Sequence, residues 1–107
     1  MSYDVWLEAD LGGPEPVTID SNINHTSNTS QMWRDAGADI AEMHGKTASE
    51  CLPDLQAAIA DISANPGKYE RHEAANGWGT VDTTLAFLRR IEALFLRAPK
   101  AKVVVSR

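Results

Sequence analysis

A single cysteine among 107 residues excludes an internal disulfide, so the fold requires no oxidising compartment. Cys51 also falls in an apolar helical pattern, where a thiol behaves as a small buried hydrophobe. Nowhere do eighteen apolar residues run together, which excludes a membrane-spanning helix. The opening Met-Ser-Tyr-Asp-Val-Trp lacks the basic and apolar regions of a secretory leader, and the expected address is the cytoplasm. Positive charge is scarce too: 10 Lys and Arg face 15 Asp and Glu, a net charge of −5. Nucleic-acid surfaces concentrate cations to displace counterions, so direct nucleic-acid binding is not expected. The acidic residues are spread from Asp4 to Glu92, as a solvated surface requires.

Chemistry-bearing motifs are equally sparse. His25, His44 and His72 stand 19 and 28 residues apart, spacings that match no zinc site. Gly12-Gly13 is followed by Pro14 and lacks the residues of a phosphate-cradling loop. Cys51 and His44 lie across a helix boundary, and apolar surroundings would raise the thiol pKa. His72 and Glu73 are adjacent in a run of solvated charges. No catalytic set emerges; the expectation is a non-enzymatic protein with no metal and no cofactor.

What is present is an ordinary globular composition, 43 % apolar and 23 % charged, in a length suited to one domain over residues 1–107. Residues 3–9 alternate, with Tyr3, Val5 and Leu7 against Asp4, Trp6 and Glu8, the signature of a strand with one buried face. A turn through Leu11–Pro16 leads to a second strand over Val17–Asp20, forming a hairpin. The Ser-, Asn- and Thr-rich stretch 21–30 favours caps and turns. Met32, Trp33, Ala36, Ile40 and Met43 then mark a helix that Gly37 breaks in two.

Thr47-Ala-Ser-Glu50 has capping-box spacing and starts a helix with the stripe Leu52, Leu55, Ile59 and Ile62, which Pro53 should distort and Asn65-Pro66-Gly67 should end. A final helix over 80–97 buries Val81, Leu85, Leu88, Ile91 and Phe95, with Phe87 and Leu94 widening its face. Val103–Val105 form a last strand. The predicted fold is α+β: a small sheet of about three strands covered by about three helices, β-β-α-α-α-β, with the terminal strands neighbours and antiparallel.

Two segments stand out. Asn24, His25 and Asn28, facing one way at a helix start, could hold an anion or polar ligand, although capping is the commoner use of such residues. In Asn76-Gly77-Trp78-Gly79 an aromatic sits on a constrained turn, where it can stack on a planar ligand or plug the core; the plug is the expected role. Each segment reads as structural when taken singly. Their coincidence points to a pocket in which His25, Trp33 and Trp78 combine polar groups with aromatic walls.

The order Asn22-Ile23-Asn24-His25, Met32-Trp33, Leu52-Pro53, Asn76-Gly77-Trp78-Gly79 and Val105-Ser106-Arg107 resembles an uncharacterised group of small phage-encoded proteins. Those proteins carry an Asn-Ile-Thr-His-Asn stretch, in which Asn24 here replaces the Thr and Thr26 the second Asn. The resemblance implies a phage or prophage origin and an accessory role such as anti-defence, and transfers no activity. The reading is therefore a non-enzymatic accessory protein with a pocket of Asn24, His25, Asn28, Trp33, Asn76 and Trp78. It would take a small polar or nucleotide-like ligand, such as a host immune signal. The alternative is a module that binds and redirects a host protein while those residues cap and plug. The wide apolar face of the last helix also permits a homodimer.

Overall fold

Alternation in the first strand places Tyr3, Val5 and Leu7 on one side of the backbone, where they can be covered. In the computed structural model, which describes all 107 residues, this strand is β1 (Ser2–Ala9). It is the centre of an antiparallel sheet of order β2-β1-β3, with β2 at Val17–Thr26 and β3 at Lys102–Ser106. Between β2 and β3 lie the helices α1 (Ser30–Asp35), α2 (Ala48–Ala64), α3 (Pro66–Tyr69) and α4 (Val81–Arg97). Short 3-10 turns occur at Ser27–Thr29, Ile40–Met43 and Glu70–His72. The architecture is α+β, with the terminal strands adjacent and antiparallel, as the residue pattern predicts.

The helices bury the Tyr3, Val5 and Leu7 side of the sheet in one apolar core that also holds Trp33, Leu55, Ile62, Leu88, Ile91, Phe95 and Val103. On the other face Trp6 is half-buried and its indole N–H donates to Glu8 Oε2 at 3.0 Å. α2 passes through Pro53 and ends at Ala64, with Asn65 as its C-cap, while Gly37 at φ 101° separates α1 from the next turn. Every apolar residue predicted for the last helix is buried within the chain, leaving Leu96 as its large exposed apolar side chain. The face that suggested a homodimer is thus occupied internally. No helix is long and apolar enough to cross a membrane.

Two local expectations are corrected. Residues 21–26, read as caps and turns, continue β2. Ile23 pairs with Val5 and is buried, and the amides of Asn22 and Asn24 both donate to Asp4 Oδ1, at 2.7 and 3.0 Å. The pairing passes from Val5↔Ile23 to Leu7↔Ile19, so β2 bulges at 20–22, which Asp20 permits with φ 62°. The second correction concerns the Thr47 capping box. α2 starts at Ala48, but Thr47 caps no amide. The amides of Ala48 and Ser49 instead donate to the carbonyls of Ala101 and Pro99, at 2.9 and 2.8 Å. The Glu50 amide, which the Thr47 side chain would have capped, donates to the Thr47 carbonyl at 3.1 Å, while carbonyls from the approach to β3 take the first two amides of α2. The capping box in this fold is at α4, where Thr80 and Thr83 serve each other.

Candidate functional site

The glycines around Trp78 are there for conformation. Gly77 has φ 77° and Gly79 φ 119°, values that side-chain-bearing residues rarely adopt. A Cβ on Gly79 would lie 2.7 Å from Thr29 Cγ2, so the corner packs directly on the segment after β2. Asn76 Oδ1 accepts from the Trp78 amide at 3.0 Å, and Asn28 Nδ2 donates to the Trp78 carbonyl at 3.1 Å. Gly77 and Ala74 close the turn through backbone bonds of 3.0 and 3.2 Å. The backbone of Trp78 is pinned on both sides, yet its side chain is 72 % exposed. The expected core plug is therefore corrected: the glycine turn aims the indole outward.

Beneath this corner, Thr84 donates to Thr29 Oγ1 at 2.8 Å, and Thr29 lies 3.1 Å from His25 Nε2. Thr29 and Thr84 are fully buried. Thr29 thus accepts from Thr84 and also lies within hydrogen-bond distance of the His25 ring nitrogen. The ring stacks on Phe87, with centroids 4.8 Å apart and planes 17° from parallel. Trp33 packs at 6.1 Å from His25 and edge-on to Tyr3 at 5.1 Å. Burial holds the His25 pKa below its ordinary value, because a charged imidazole would lose water without gaining a carboxylate.

The six predicted site residues divide into three groups. Asn28, Asn76 and Trp78 meet at the exposed corner. His25 and Trp33 belong to the aromatic wall below it, where Trp33 has no exposed surface and its indole N–H has no hydrogen-bond partner. Asn24 bonds Asp4 on the opposite face of the sheet. The expectation that Asn24 and His25 face one way fails because both lie in β2, where neighbouring side chains alternate. None of the six lines any of the four main clefts. Residue patterns missed Thr29, Thr84, Phe87 and Tyr3 as partners of this cluster. Tyr3 and Phe87 were legible as core positions and Thr84 as a polar residue on the buried stripe of α4, but their contact with His25 and Trp33 was not.

The other ionisable groups fasten the periphery. Asp35 accepts from Gln31 at 2.7 Å and meets His72 at 2.6 Å and Arg71 at 3.5 Å, tying α1 to the Glu70–His72 turn. The Gln31 bond, then His72, holds the Asp35 carboxyl below the usual range. Asp61 is lowered by the Tyr69 hydroxyl and then by Lys68. Burial raises the Cys51 thiol. A scan against protein-family models, a search of the curated proteins and a search of the solved structures each return no match for this chain.

Proposed function

We propose that the protein is a non-enzymatic interaction module that binds another protein through the Trp78 corner. The observation that carries this reading is a 72 % exposed tryptophan on a backbone fixed by Asn28, Asn76 and two glycines. Tryptophan dominates binding hot spots because its large surface is desolvated in a partner's pocket. A pinned backbone lowers the ordering cost of association. The Asn28 and Asn76 bonds to the Trp78 backbone leave Asn28 Oδ1 and Asn76 Nδ2 without partners beside the indole, one acceptor and one donor for the rim.

The net charge of −5 favours encounter with a basic surface. The resemblance to phage-encoded proteins makes a host protein the expected partner, and inhibiting or redirecting it the expected role. The competing pocket of six residues has less support, with Asn24 across the sheet and Trp33 sealed in the core. Co-purification from cells at native expression, wild type against Trp78→Ala, tests the reading. The expected result is one protein retained by wild type and lost by a variant of unchanged unfolding free energy. Retention by both would reject it.

A further inference from the structure

We infer that the cleft between the start of β1, the turn at Ser27, α1 and Arg107 binds the phosphate group of a small phosphate monoester. This cleft is open to solvent, has a volume of about 410 Å³ and is lined by Met1, Ser2, Tyr3, Ser27, Ser30, Arg34 and Arg107. The other three main clefts all carry carboxylates, among them Glu8, Asp10, Asp39 and Asp54. This one has no Asp or Glu side chain, and the ammonium of Met1 offsets the terminal carboxylate of Arg107, in a chain whose net charge is −5. Neither Arg34 nor Arg107 forms an ion pair, a property shared with Arg89 and Arg90, so both guanidinium charges are unspent at the cleft.

Arg34 is oriented rather than free. Its Nη2 donates to Ser30 Oγ at 3.0 Å and its Nη1 to Gln31 Oε1 at 3.4 Å, leaving the rest of its five N–H donors for a ligand. Two guanidinium groups with no acidic side chain beside them suit a dianionic, multi-oxygen group, which arginine grips in a planar fork. Ser2 and Ser27, two residues with hydroxyl side chains, also line the cleft. Inorganic phosphate alone would leave much of the volume empty, and small-ligand sites of about 300–1,000 Å³ enclose organic groups as well. The ligand is therefore a phosphate attached to a small organic body. Asn28 joins this cleft to the Trp78 corner only through the chain, so the inference stands apart from the protein-binding reading.

The test is an NMR amide titration with inorganic phosphate and with adenosine 5′-monophosphate. It compares wild type, Arg34→Gln, Arg107→Gln and the charge-matched control Arg90→Gln, with unfolding midpoints confirming that all are folded. The expected result is saturable shifts at Ser2, Ser27 and Ser30, with the monophosphate binding tighter than phosphate. Affinity should fall about tenfold or more in the two cleft variants, the loss of a charge-assisted bond, and hold in the control. Shifts that never saturate, or equal weakening in Arg90→Gln, would overturn the site. A monophosphate no tighter than phosphate would overturn the monoester assignment.

Discussion

Gly79→Ala should be among the most damaging single-methyl changes in this protein, and Gly77→Ala shows why. Both glycines have positive φ, 77° and 119°, and an alanine held there costs on the order of 1–3 kcal/mol. They differ in surroundings. A Cβ on Gly77 meets nothing within 4 Å, whereas one on Gly79 lies 2.7 Å from Thr29 Cγ2 and 3.2 Å from Thr26 Cγ2. Thr29 cannot easily yield, because it is fully buried and bonded to Thr84 and His25. Overpacking of this kind adds about 1–3 kcal/mol. The entropy removed from the unfolded chain is similar for both substitutions and cancels in the comparison.

Urea unfolding of the two variants side by side measures the difference. A gap of about 1–3 kcal/mol is a midpoint separation near 1 M at a slope of about 1–3 kcal/mol per M. The His25 pKa, followed by NMR, supplies a second readout: displacement of Thr29 admits water, and the pKa rises toward its ordinary value. Equal stability losses in the two variants would refute the packing of the corner on Thr29.

Three further outcomes follow from the buried groups. His25 has a folded pKa below its ordinary 6.5, so the unfolded chain takes up the proton first. Its contribution is complete above 6.5 and is lost as pH falls through the folded value. Asp20, Asp35 and Asp61, lowered from 3.8, act only below that pH. The loss of stability between 6.5 and 3.8 should therefore flatten in His25→Gln, as measured by denaturation at several pH values. Thr84→Val keeps the shape but removes the donor to Thr29, and should cost about 1–3 kcal/mol in the same assay. Cys51 is buried with its thiol pKa raised, so a thiol reagent should label it at the rate of unfolding or local opening, and fast native labelling would contradict its placement.

The parts of the fold legible in the residue pattern were those set by local periodicity. Tyr3, Val5 and Leu7 alternate because one face of β1 is covered, and the α4 stripe from Val81 to Phe95 repeats with the helix for the same reason. Residues whose partners are distant were misread. Asn22 and Asn24 look like turn formers until Asp4 is placed beside them, and the start of α2 is held by the distant carbonyls of Pro99 and Ala101 rather than by the Thr47 side chain. Of the candidate site, the Asn76–Gly79 corner was visible in its glycines, but the direction of Trp78 depends on how Gly79 packs against Thr29. The Arg34 and Arg107 cleft joins residues from opposite ends of the chain, and no local spacing announces it.

The proposed protein-binding role of the corner is tested most directly by placing a photo-crosslinking amino acid at position 78, with position 96 as control, since Leu96 is also exposed, at 57 %. Irradiation in the cells that produce the protein should yield one discrete protein adduct from position 78 and none from position 96. The same adduct from both positions, or none from position 78, would contradict the account.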